Sequence, residues 1–275
     1  MRYEQIHLKD VYPFLGENDR DPVVSVYLRN KKREKRPGIL LCPGGGYQTV
    51  SGLEGEPVAL KLFAHGYNVF VLNYSVKPHG FPTQLREVAA VMELIAQNSE
   101  DWNTDPERIA IMGFSAGGHL AAHYSNSFDF PEVREVFPES KPVKATILCY
   151  AVTNWAESSH KVTFLNLVGH RNPESEEEKK RFSCNLQVTE NTPPAFLWHT
   201  AGDTVVPATD SLLYAKALAE HNVPFALHVF PAGQHGLSTV EPGIVAPQLN
   251  PELTPEIMRA AAWLPLLADW LEDTL

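Results

Sequence analysis

R-I-A-I-M-G-F-S-A-G-G-H-L-A-A, Arg108 to Ala122, is the stretch whose reading decides the fold. R-I-A-I-M is a short, apolar, β-branched run that fits a buried strand, and the residues after Ser115 have the period of a helix. Between them stands G-F-S-A-G. A strand that turns directly into a helix leaves no space for side chains on the flanks of the turn, which accounts for Gly113 and Gly117. Ser115 at the tip is then held in a strained conformation with its Oγ projecting from the sheet edge. The helix N-terminus behind it favours developing negative charge. Taken alone G-x-S-x-G is a weak pattern; the strand before it and the helix after it make it specific.

Outward from this turn, short apolar runs alternate with longer stretches of helical period, the pattern of a parallel sheet with crossover helices. Strands are expected at 23–28, 38–42, 68–72, 108–112, 145–149, 195–199 and 225–230, giving a mostly parallel central sheet of about seven or eight strands with helices on both faces. The basic run between the first two reads as a solvated turn, which suggests a hairpin leading into the sheet. Helices are expected at about 57–65, 82–98, 116–126, 208–221 and 254–273. The acids and proline of E-G-E-P, residues 54–57, suit the first turn of the first of these. The connection 153–193 is much longer than this architecture normally carries, and long loops on such a scaffold usually cap a site. Within it Ser175 and Glu178 have capping-box spacing. With no repeat and no linker, the chain reads as one domain over 1–275.

The composition narrows the function classes. The 275 residues are 44% hydrophobic and 20% charged, as in soluble globular proteins, and their net charge of −10 repels phosphate backbones and anionic lipid heads. Nucleic acid and membrane surfaces are therefore not expected partners; a homo-oligomer stays open. Cys42, Cys149 and Cys184 show neither metal-ligand spacing nor a disulfide framework and are read as reduced and buried. The N-terminal M-R-Y-E-Q-I-H-L-K-D has no apolar signal region and no run reaches the length of a membrane span, so a cytoplasmic location is expected.

The strand, turn and helix around Ser115 resemble the nucleophile elbow of the α/β-hydrolase superfamily, which orders its catalytic residues serine, acid, histidine. The resemblance implies Asp203, in W-H-T-A-G-D-T-V-V-P just past the 195–199 strand, as the acid. It implies His235, in P-A-G-Q-H-G just past the 225–230 strand, as the base. C-P-G-G-G-Y, residues 42–47, occupies the place of the oxyanion loop, and the amides of Gly45, Gly46 and Ala116 are its expected donors. Pro43 stands where related lipases and esterases carry histidine, which leaves that assignment open by one residue. P-G-G-G-Y, E-G-E-P, G-F-S-A-G-G-H-L-A, T-P-P-A-F-L-W-H-T-A-G-D-T-V-V-P and Q-H-G together resemble bacterial carbohydrate acetyl esterases of the acetyl-xylan and feruloyl esterase-like group, over residues 22–272. That resemblance implies a serine carboxylesterase acting on short acyl esters, acetyl above all, of sugars or small alcohols. Acyl transfer of this kind needs no metal or organic cofactor.

Other readings stay beside this one. A prolyl-oligopeptidase-like peptidase shares the triad order but normally carries a large N-terminal propeller, and a non-catalytic hydrolase-fold binding protein usually lacks a triad member. Asp210 is the alternative acid, although it falls inside a helix. His119 is read as a buried packing residue rather than a second base, His199 and His228 as sheet residues, and Cys42 as a small buried filler. Tyr47 and Trp155, with Phe164 and Leu165, are candidates to meet above Ser115 and present aromatic faces to a sugar ring. Asn154 and His160 are polar candidates from the same segment.

Overall fold

In the computed structural model residues 1–30, 34–155, 161–169 and 174–275 are described. Among the described residues eight strands form one sheet: β1 (Arg2–His7), β2 (Val23–Leu28), β3 (Arg36–Cys42), β4 (Asn68–Asn73), β5 (Thr104–Phe114), β6 (Ala145–Cys149), β7 (Ala195–Thr200) and β8 (Phe225–Phe230). Their spatial order is β1-β2-β4-β3-β5-β6-β7-β8. β2 runs antiparallel to both β1 and β4, and every later pairing is parallel.

Both faces of the sheet are covered, as the continuous apolar runs of its central strands require. On one face Leu85, Val88 and Ile95 of the helix Thr83–Gln97, Leu120 of the helix Ser115–Ser127 and Leu218 of the helix Thr209–Glu220 pack in one cluster. On the other, Val58 and Leu62 of the helix Glu56–Ala64 join Trp263, Leu267 and Leu271 of the C-terminal helix Trp263–Thr274. Cys42, Cys149 and Cys184 are buried free thiols. No helix among the described residues is long and apolar enough to cross a membrane.

The structure departs from the sequence expectations at three places. β1 was not anticipated, because half of its side chains are solvent-facing and polar and its pairing energy comes from β2. β2 and β3 do not form a hairpin, because β4 lies between them and pairs with both; Lys31, Lys32 and Arg33 of the basic run fall outside the described residues. The expected final helix is interrupted as well, running as Pro255–Met258, a 3-10 turn Arg259–Ala262 and then Trp263–Thr274.

Because six neighbouring strands run in parallel, the loops that follow them gather at one edge. The segments after β3, β5, β7 and β8 all emerge there, and this carboxyl edge is where open α/β sheets place their sites.

Candidate active site

β5 ends at Phe114, and the helix that follows begins at Ser115, whose φ is 52°. A non-glycine residue in the left-handed region is uncommon and stays there only when its surroundings enforce it. Here they do. A Cβ on Gly113 would lie 2.1 Å from the Gly117 carbonyl oxygen, and one on Gly117 would lie 2.1 Å from that of Cys42 and 2.3 Å from that of Pro43. The two glycines let the helix start close against β3 and β5, which leaves Ser115 at the tip.

The loops after β7 and β8 bring two further side chains to it. His235 Nε2 lies 2.8 Å from Ser115 Oγ and its Nδ1 lies 2.7 Å from Asp203 Oδ2. Since the carboxylate accepts at Nδ1, that nitrogen carries the proton and Nε2 accepts from the serine hydroxyl. Asp203 is 6% exposed, and its second oxygen takes the amides of Val205 and Val206, each at 2.8 Å. Burial pushes this carboxyl up, but the hydrogen bonds from His199 and His235, the imidazole charge and the Val206 amide outweigh it, holding Asp203 well below the ordinary carboxylate range. His199 is fully buried on β7: its Nε2–H donates to the Val206 carbonyl at 2.9 Å and lies 3.5 Å from Asp203 Oδ2. It therefore braces the loop that carries the acid. Asp210 is not the partner of His235: it sits in the helix after that loop and accepts from the amides of Thr153 and Asn154, with burial raising its pKa to about 6.

The loop after β3 forms the facing wall. Gly45 and Gly46, at φ 131° and 64°, line a cavity of about 260 Å³ together with Ser115, His235, Glu54, Leu53 and Thr163. The Gly44 amide is already engaged, donating to Glu54 Oε2 at 2.8 Å. The Gly45 and Gly46 amides have no acceptor among the described residues, and the Ala116 amide lies in the first helical turn, where N–H groups lack an intrahelical partner. Of these three expected donors, Gly45 and Gly46 line the cavity and Ala116 follows Ser115 directly in the chain. Asn166, from the helix Lys161–Val168 in the long β6–β7 connection, donates to the Gly46 carbonyl at 2.8 Å and ties that connection to the glycine loop.

Among the described residues the aromatic wall expected above Ser115 is not formed, and neither Tyr47 nor Trp155 lines the cavity. Tyr47 is fully buried and donates its hydroxyl to His119 Nδ1 at 2.9 Å, while His119 Nε2–H donates to the Phe182 carbonyl. Burial lowers the His119 pKa to about 4, so this imidazole is neutral at pH 7. Trp155 stacks on Phe164 at 4.6 Å, both buried. The physical reason is shared: each ring buries more apolar area against the neighbouring core than it would on a cavity wall. Leu165 is 41% exposed and does not line the cavity, Asn154 is buried, and His160 lies outside the described residues. No Trp, Tyr or Phe lines the cavity among the described residues.

For one residue the sequence reading is corrected: Glu54 was expected in the first turn of the helix and lies before it. Glu56 takes the first turn of its helix, whereas Glu54 turns inward from the short 3-10 segment Gly52–Glu54 and is 5% exposed, at the floor of the cavity. Nothing in the sequence distinguishes these two acids, because both suit a helix start equally well.

The BD-FAE family matches residues 24–218. Among curated proteins, the chain is 36% identical to endo-1,4-beta-xylanase B of Butyrivibrio fibrisolvens over 86% of its own length and 38% of that protein. It is 32% identical to an acetylxylan esterase of Xylanibacter ruminicola over 72% and 40% of the two chains. The chain thus spans roughly two fifths of the length of these curated relatives. A solved structure, the acetyl ester-xyloside bifunctional hydrolase from Caldicellulosiruptor lactoaceticus, superposes with a TM-score of 0.82 at 34% identity, covering 99% of this chain and 96% of that one.

Proposed function

The chain belongs to the BD-FAE family, and on that premise we propose that it is a serine carboxylesterase releasing short acyl groups, acetyl foremost, from esters of sugars or small alcohols. The observation that carries the reading is the hydrogen-bonded line from Ser115 through His235 to Asp203, opening on a small cavity beside the Gly45 and Gly46 amides.

In the first step Ser115 Oγ attacks the ester carbonyl as its proton passes to His235 Nε2. Asp203 keeps the ring in the tautomer that can accept this proton and stabilises the imidazolium. The negative charge of the tetrahedral intermediate falls on the oxygen facing the Gly45, Gly46 and Ala116 amides. Return of the proton to the alcohol expels it and leaves an acyl-serine, which water cleaves by the same route in reverse. A cavity of about 260 Å³ lies below the range that encloses drug-sized ligands, which favours a short acyl group. The relatives named for acetylxylan and acetyl-xyloside hydrolysis support an acetylated sugar as the alcohol side.

The test is hydrolysis of p-nitrophenyl acetate, butyrate and octanoate beside acetate release from acetylated xylo-oligosaccharides, with Ser115→Ala and Asp203→Asn as comparisons. Rates should fall from acetate to octanoate, drop on the order of 10³-fold or more in Ser115→Ala, and drop about 10⁴-fold in Asp203→Asn. An enzyme whose ester hydrolysis survives the loss of Ser115 overturns the assignment.

A further inference from the structure

We propose that Glu54 is a positioning residue of this site: its carboxylate holds the glycine loop and the His235 ring in one register and sets negative charge against the imidazolium that forms when Ser115 loses its proton. The proposal rests on the acyl-transfer reading above and adds a second carboxylate to it.

Three observations support it. First, the carboxylate bridges the two halves of the site: Oε2 accepts from the Gly44 amide at 2.8 Å and Oε1 accepts from the Tyr150 hydroxyl at 2.7 Å. The first bond occupies the amide immediately before Gly45 and Gly46, so it determines which way the loop turns its remaining amides. Second, Tyr150 carries the constraint to the histidine. Its ring meets the His235 imidazole edge to face at 4.8 Å, and its oxygen accepts from the Ser238 amide at 3.0 Å, three residues past His235. Ser238 Oγ in turn donates to the Leu53 carbonyl, beside Glu54, at 2.6 Å. Third, the packing is tight at the nucleophile itself: a Cβ on Gly44 would lie 2.6 Å from Glu54 Oε2 and 3.0 Å from Ser115 Cβ.

The hydrogen-bond pattern is the one an ionised carboxylate takes. The Gly44 amide can only donate, and the Tyr150 hydroxyl, already accepting from Ser238, directs its proton to Glu54, so both carboxylate oxygens act as acceptors. Burial raises the Glu54 pKa above the ordinary carboxylate value, and Tyr150, the His235 charge, the Gly44 amide and Ser51 limit the rise. A buried anion with this donor set is retained at a cost in stability, which suits a residue kept for its charge and direction. The titratable groups around it are Tyr74, Cys149, Tyr150 and His235; those around His235 are Asp203, with His199 behind it, Glu54 and Tyr150.

The experiment compares the full-length wild type with Glu54→Gln and Tyr150→Phe. It measures the rate of Ser115 labelling by a fluorophosphonate from pH 5 to 9, kcat and KM for p-nitrophenyl acetate, and the thermal midpoint. Glu54→Gln keeps the shape but loses the charge and one of the two acceptors. We expect a loss of about 10- to 100-fold in both kcat and labelling rate, KM within about threefold, and an acidic limb of the labelling profile moved to lower pH, because the imidazolium loses a stabilising anion. Tyr150→Phe should lose about 3- to 10-fold in kcat with KM unchanged, and it decides the matter if Glu54→Gln does not fold. Wild-type rates in either variant overturn the proposal, as does a rate loss in Glu54→Gln that follows the melting temperature with the acidic limb unmoved. A wild type whose Ser115 is not labelled sinks the esterase reading itself, which is a separate outcome.

Discussion

Gly117→Ala tests whether close packing of the elbow helix is what places Ser115. The added methyl would stand 2.1 Å from the Cys42 oxygen and 2.3 Å from the Pro43 oxygen, where ordinary contacts begin at 3.4 Å. Both obstacles are backbone at the end of β3, so no side chain can rotate away and the helix must retreat by about 1 Å. Overpacking of this kind costs about 3 kcal/mol, and for a domain of this size the melting temperature should fall by about 6–12 °C. The same retreat draws Ser115 away from Gly45 and Gly46, and a misplacement of about 1 Å is enough to slow the chemistry about 10²-fold. Gly52→Ala is the control: it lies in the same region but its methyl would enter open space, so its effect should stay within about 0.5 kcal/mol. Differential scanning calorimetry and the rate of Ser115 labelling by a fluorophosphonate read both consequences. A Gly117→Ala protein that melts within about 2 °C of the parent and labels at the parent's rate would refute the argument.

Asn166→Ala removes the bond from the β6–β7 connection to the Gly46 carbonyl and should lower kcat about 3- to 10-fold on p-nitrophenyl acetate with a loss of about 1 kcal/mol in stability; an unchanged kcat would show that the glycine loop holds itself. Glu87, buried and accepting from the Ser75 amide and hydroxyl, has its pKa raised by burial from 4.5 to about 7. Its folded pKa lies above its unfolded one, so the stability it contributes is complete below about pH 4.5 and is lost as pH rises through about 7, a change on the order of 3 kcal/mol. Glu87→Gln can still accept from the Ser75 amide and should flatten the fall of melting temperature between pH 5 and 8; an unaltered slope would place that fall on other groups.

What was legible in the sequence lies in features whose cause is local. Strand and helix periods gave the order of elements, because an apolar run buried on both faces or a helix with one apolar stripe has the same pattern wherever it packs. Gly113, Ser115 and Gly117 were legible because a strand-to-helix turn imposes its own steric demands. Asp203 and His235 were reached only through the resemblance and their position after late strands; the structure then places both within hydrogen-bond distance in one line with Ser115. Tertiary structure alone decided the rest. β1 exists because β2 pairs with it, and β4 separates β2 from β3 because registry is chosen between strands distant in the chain. The long connection's aromatic residues turned to the core, where they bury more area. Glu54 and Glu56 share the same local propensity, and only the approach of Gly44 and Tyr150, from loops far apart in sequence, makes one of them a buried carboxylate beside Ser115 and leaves the other at the surface.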